Sequence, residues 1–157
     1  MMSQPDWMDE AFRLAEEAER EGETPIGAVI VEGATGRILG RGRNRRKSGD
    51  PLGHAEILAI GEAARARGDW RLSGTTMVVT LEPCAMCAGA IVNARIDRLI
   101  FGAHDPKAGF CGSLGNLVQD PRLNHRVELI SGVGADRSRE MLQSFFRRLR
   151  ERTPEVL

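Results

Sequence analysis

The sequence predicts a layered α/β domain, for two reasons. Short β-branched runs alternate with longer stretches whose apolar residues recur at helical spacing, and an apolar share of 41% over 157 residues is enough to bury a core. One domain spanning 1–157 is expected, since no repeat, linker or low-complexity segment divides the chain. From Asp6 to Arg20, Trp7, Met8, Ala11, Leu14, Ala15 and Ala18 recur with charges between them, the pattern of an amphipathic helix. Gly27–Val31 and Arg37–Leu39 read as a hairpin around the glycine-containing turn at 32–36. Arg41 to Asp50, with five basic residues and no period, reads as a basic loop that either serves a polyanion or stays solvated.

A second helix is expected from His54 to about Arg67, with Ile57, Leu58, Ile60 and Ala64 inward and Gly68 ending it. Thr76–Leu81 is a strand, and Pro83 leads into a helix of small apolar residues from Cys84 to Asn93, suited to packing on a sheet. Leu99–Phe101 and Val127–Ile130 are further strands. Ser138 to Arg150 closes the chain as a helix, with Met141, Leu142, Phe145, Phe146 and Leu149 at helical spacing. Phe145 and Phe146 are adjacent, so one helix face cannot bury both; one belongs to the core and the other is a candidate stacking surface.

The 22 basic and 22 acidic residues balance, which excludes an overall field that would draw the chain onto nucleic acid or anionic lipid. An RNA partner would need local patches, and Arg41, Arg43, Arg45, Arg46 and Lys47 form one candidate, Arg147, Arg148 and Arg150 another. The polar start, Met1 to Glu10, does not resemble a signal peptide and no stretch is long enough for a membrane span, so a cytoplasmic protein without a membrane partner is expected. Three cysteines are too few for a disulfide framework, and a close pair in a reducing compartment suggests metal or redox chemistry.

Cys84 and Cys87 stand three apart, so at a helix start both sulfurs reach one ion, and the helix dipole favours their thiolate forms. His54 and Glu56 would lie on nearly opposite faces in mid-helix and share a site only at a helix end, where Pro51, Gly53 and the onset of periodicity put them. One histidine and two thiolates are the ligand set of a catalytic zinc with an open position. Such a zinc lowers the pKa of its water toward about 7, and Glu56 beside it could shuttle the proton. Other readings are that Cys111 or His104 completes a closed, structural site, that Glu56 only complements the helix dipole, and that His125 is a hydrogen-bonded loop histidine.

His54-Ala55-Glu56-Ile57 and Thr80-Leu81-Glu82-Pro83-Cys84-Ala85-Met86-Cys87-Ala88-Gly89-Ala90 together resemble the two zinc motifs of the cytidine deaminase-like superfamily. Thr24–Val29, Phe101–Ala103, Asp105–Gly109, Gly112–Leu114, Asn124–Glu128 and the Phe145-Phe146 helix extend the likeness over nearly the whole chain, toward the bacterial tRNA-specific adenosine deaminases. The resemblance implies a three-layer α/β/α fold with a five-stranded mixed sheet, one Zn2+ per chain on His54, Cys84 and Cys87, Glu56 as catalytic group, and a homodimer. It further implies that a wobble-position adenosine of a tRNA anticodon stem-loop flips into the pocket and is deaminated there to inosine. Asn44 and the Ala55 backbone would hold the base, Asp105 would contact the target nucleotide or its neighbour, and Phe146 would line the RNA groove.

Asn44 and Asp105 also suit turn caps, the plainer reading of such residues. The chain departs from the family at Leu52 and Gly53, where a small polar residue and alanine are common, at Cys111, which replaces a smaller residue, and in its neutral charge. Two rival functions follow from the same residues: deamination of a free base or nucleotide of guanine or cytosine type, and a non-catalytic zinc module that binds RNA or a partner.

Overall fold

The computed structural model describes residues 3–152, so both expected domain bounds, 1 and 157, lie outside the described residues. Its elements in chain order are α1 (Gln4–Arg20), β1 (Gly27–Glu32), β2 (Ile38–Arg43), a 3-10 turn (Arg46–Ser48), α2 (Ala55–Arg67), β3 (Thr75–Leu81), α3 (Ala85–Asn93), β4 (Arg98–Ala103), β5 (Glu128–Ile130) and α4 (Ala135–Arg152). The strands form one five-stranded mixed sheet in the order β2-β1-β3-β4-β5. It is sandwiched between helices, as the three-layer expectation requires.

One face of the sheet carries Val29, Val31, Val78 and Ile100, on which α1 packs Met8, Ala11, Phe12 and Leu14. α4 covers the same face through Met141. The Arg137 guanidinium lies 4.3 Å from the centroid of the Phe12 ring and pairs with Asp9 and Glu16, tying α4 to α1. The other face carries Ala28, Ile30, Met77, Val79, Leu99 and Phe101 beneath α2 and α3.

The inward face of α2 differs from the expected one. Ala55, Ala59 and Ala63 are fully buried, whereas Ile57, Leu58, Ile60 and Ala64 are only half-buried. The reason lies in β2, which runs on to Arg43 instead of stopping at Leu39. A Cβ at Gly40 would stand 2.3 Å from the Ala59 carbonyl oxygen, and one at Gly42 2.0 Å from that of Ala55. The helix backbone thus rests directly on the strand, and only alanine fits between them. Arg41 and Arg43 alternate with those glycines at the period of a strand, so this part of the expected basic loop is in fact β2.

Pairing directions decide where the loops go. β1 is antiparallel to both β2 and β3, so those two strands run the same way; β4 is parallel to β3. The segments leaving β2, β3 and β4 therefore emerge at one end of the sheet, and α2 and α3 begin there.

Candidate active site at the helix starts

His54 is the N-cap of α2 and Cys84 the N-cap of α3, both in extended backbone conformation, with Cys87 in the first turn of α3. His54 Nδ1 lies 3.6 Å from Cys84 Sγ and 3.5 Å from Cys87 Sγ. One donor atom from each residue fits within a span of 4.8 Å, so these three side chains form a group able to hold a metal ion. An imidazole nitrogen with two sulfurs is a borderline-to-soft donor set that fits zinc.

Cys84 is the more acidic of the two thiols. It accepts hydrogen bonds from the Cys87 thiol and, despite partial burial, from the backbone N–H groups of Cys87 and Met86, which brings it down to about 5. The Cys87 thiol is the donor in that bond, is buried and faces Glu56, so it titrates well above its usual range. Binding a metal through both sulfurs therefore releases a proton from Cys87.

Glu56, in the first turn of α2, is 4% exposed. Burial pushes its carboxyl up to about 7, helped by the nearby Cys84 and opposed by hydrogen bonds from its own backbone N–H and from Cys87. A carboxyl poised near neutrality beside a metal-binding trio is equipped to take up and give back protons.

The candidates for a fourth ligand stand elsewhere. Among the described residues the metal-binding group contains neither Cys111 nor His104. The Cys111 thiol is buried and held above its usual range by that burial and by the charge of Glu82. His104 is exposed, contacts Glu82 through Nδ1 at 3.2 Å and sets its ring edge-on to Phe101. His125 Nε2 is 2.7 Å from the carbonyl oxygen of Ile96, which precedes β4 and so lies at the opposite end of the sheet. It is a hydrogen-bonded loop histidine.

Asn44 follows β2, 4% exposed, with its backbone N–H on the Ile26 carbonyl and no hydrogen bond to its side-chain amide among the described residues. It borders a cavity of about 510 Å³ whose lining includes Glu23, Thr24, Arg46 and Lys47. Ala55 is fully buried between His54 and Glu56. The Asp105 carboxylate caps its own turn, accepting the N–H groups of Lys107 and Ala108 at 3.1 and 3.3 Å, as the plainer reading holds. Phe145 is buried at 8% and Phe146 exposed at 42%, which settles which of the two joins the core.

The basic patches are smaller than the sequence suggests. Arg41 pairs with Glu10, Arg43 with Glu17 and Glu21, and Arg148 with Glu19, so α1 neutralises part of each. Two residues carry more than the sequence reading gave them. Glu23, 5% exposed, accepts the Lys47 N–H, and Glu82, 2% exposed, accepts the N–H groups of Asp105, Cys111 and Ser113. An acidic residue ending a buried apolar strand, as Glu82 does, was the available signal.

Fold and site together define a deaminase: a family model described as "MafB19-like deaminase" matches residues 2–150. A tRNA-specific adenosine deaminase of Bacillus subtilis (strain 168) is 49% identical over 147 residues, covering 93% of this chain and 90% of the relative. One of Haemophilus influenzae is 46% identical over 142 residues, covering 90% and 82%. A solved structure from a study of A-to-I editing by tRNA:A34 deaminases superposes with a TM-score of 0.82 at 43% identity, covering 87% of this chain and 98% of that one. The chain belongs to the tRNA-specific adenosine deaminase family. The fold alone reaches further, to a guanine deaminase from Nitrosomonas europaea at a TM-score of 0.80 and 20% identity, covering 92% and 85%.

Proposed function

We propose that the protein hydrolyses adenosine to inosine at the wobble position of a tRNA anticodon, with one zinc ion held by His54, Cys84 and Cys87 and with Glu56 as the proton shuttle. The observation that carries this reading is the meeting of the three donors with a buried, near-neutral carboxyl at two helix starts, in a chain 49% identical to a tRNA-specific adenosine deaminase. Zinc, when bound, supplies the Lewis acidity that activates water at neutral pH. Glu56 takes a proton from the attacking water and passes it to the ring nitrogen next to the reacting carbon. It then carries the second proton to the departing amino group, so that adenosine and water give inosine and ammonia.

Asn44 binds the base, a role supported by its place after β2 on the wall of a cavity of about 510 Å³. The Ala55 backbone assists from the first turn of α2. Asp105 meets the target nucleotide or its neighbour, and the exposed Phe146 ring lines the RNA groove. Two chains pair through apolar side chains that α2 leaves half-buried, Ile57 and Leu58 among them. One domain carries the activity, in the cytoplasm; among the described residues no helix is long and apolar enough to cross a membrane.

Sequencing tRNA before and after incubation with the purified protein tests the reaction and its position together, because inosine is read as guanosine. An adenosine-to-guanosine change confined to the wobble position is expected. Unchanged reads, or conversion of free nucleosides at matching rates, would refute the proposal.

A further inference from the structure

The segment 104–113 leaves β4 at the same end of the sheet as the metal-binding helix starts and contains no strand or helix of its own. Four of its hydrogen bonds converge on one side chain. The Glu82 carboxylate, whose side chain is fully buried, accepts backbone N–H groups of Asp105 at 2.9 Å, Cys111 at 3.0 Å and Ser113 at 3.0 Å. It also accepts the Ser113 hydroxyl, and His104 Nδ1 lies 3.2 Å away. The segment crowds in so closely that a Cβ at Gly109 would stand 2.3 Å from the carboxyl carbon of Glu82.

We propose that Glu82 is a positioning residue for the RNA substrate, holding 104–113 as one wall of the active site. This rests on the reading of the site as a tRNA deaminase. The turn that carries Cys84 has a tether of its own, the Ala88 N–H on the Cys84 carbonyl at 2.8 Å, which starts α3. The wall has internal turns, the Gly109 N–H on the Asp105 carbonyl at 2.8 Å and the Leu114 N–H on that of Gly109 at 2.9 Å, but these hold it to itself rather than to the sheet. Phe110 donates its N–H to Pro83 and Gly109 bridges to Cys84, but Asp105 and Ser113 reach the body of the protein through Glu82. Three backbone N–H groups and the Ser113 hydroxyl donate to it, and a carboxylate, which accepts through both oxygens, satisfies all four. A glutamine would turn its NH2 toward either the Cys111 and Ser113 N–H groups or the Asp105 N–H and the Ser113 hydroxyl, and an aspartate would fall one methylene short. Fixing the Asp105 backbone fixes the carboxylate proposed to meet the nucleotide.

The test compares wild type with Glu82→Gln, Ser113→Ala and Ser113→Thr on an anticodon stem-loop, with zinc content and thermal melting measured on each. For Glu82→Gln we expect KM to rise about tenfold or more, the loss of one charged hydrogen-bond set, with kcat within about twofold and zinc unchanged. Ser113 is exposed, so its variants fold even if Glu82→Gln does not. Ser113→Ala should raise KM about threefold and Ser113→Thr, which keeps the hydroxyl, should restore it. Unchanged KM in Ser113→Ala, or loss of zinc or kcat rather than KM in Glu82→Gln, overturns the proposal. An inactive wild type would instead strike the deaminase reading beneath it.

Discussion

Replacing Gly42 with alanine should cost both stability and metal. The new Cβ would stand 2.0 Å from the Ala55 carbonyl oxygen and 2.7 Å from the Ala59 nitrogen, whereas ordinary contact begins at 3.4 Å, so α2 must retreat by about 1.4 Å. Both obstacles are backbone, which has no rotamer to swing aside. Because Ala55 sits between His54 and Glu56, the retreat carries the imidazole away from two sulfurs now 3.5 and 3.6 Å from it. Metal sites tolerate errors of only about 0.2 Å. Overpacking of this kind costs about 1–3 kcal/mol, and for a chain of this size each kcal/mol lowers Tm by about 2–4 °C. Zinc content by mass spectrometry and thermal melting with and without chelator should show a sub-stoichiometric metal and a Tm about 2–12 °C lower. Gly61→Ala, in the same helix but facing only the Arg65 side chain, is the control and should gain about 0.5–1 kcal/mol. A Gly42→Ala protein with one zinc per chain and an unaltered Tm would show that α2 does not rest on β2 as described.

Glu56→Gln should keep zinc and fold but lower kcat by about a hundred- to ten-thousand-fold in a stem-loop assay; near-normal turnover would remove the proton shuttle. Chelation of the metal should abolish deamination and lower Tm, both recovering on adding zinc; calorimetry and activity follow the two effects. Because Arg41 is already paired with Glu10, Arg41→Ala should leave the salt dependence of stem-loop binding almost unchanged. Lys47→Ala should instead flatten the log–log slope by about 0.7, as expected for one lost contact to single-stranded RNA. Asp120, held at about 2 by hydrogen bonds from the Arg122 side chain and backbone, has a folded value below its ordinary 3.8. Its contribution to stability is therefore complete above pH 3.8 and lost as pH falls through 2, and NMR titration of Arg122→Ala should return the carboxyl toward 3.8.

The alternation of strands and helices and the His54, Cys84, Cys87 and Glu56 constellation were legible because each announces itself locally, through periodicity or spacing. What escaped depended on partners distant in sequence. The inward face of α2 cannot be read from its own apolar residues, since Gly40 and Gly42, about 15 positions earlier, dictate that alanine faces the sheet. The end of β2 was hidden because Arg41-Gly42-Arg43 alternates charge with glycine and carries no hydrophobic signal. Arg41 and Arg43 looked available to phosphate until the fold brought Glu10, Glu17 and Glu21 against them. Glu82 lay inside a motif whose cysteines drew the chemistry, while its partners came from 22 to 31 residues downstream.

The shared heading of β2, β3 and β4 has a practical side. Everything proposed to touch substrate or metal from these strands sits where they finish, which leaves the turn at 33–36, the stretch around the exposed Trp70 and the approach to β4 on the reverse side. A fluorophore, an affinity handle or a fused partner belongs on that reverse side, where it can report on or immobilise the enzyme without entering the path of an incoming RNA.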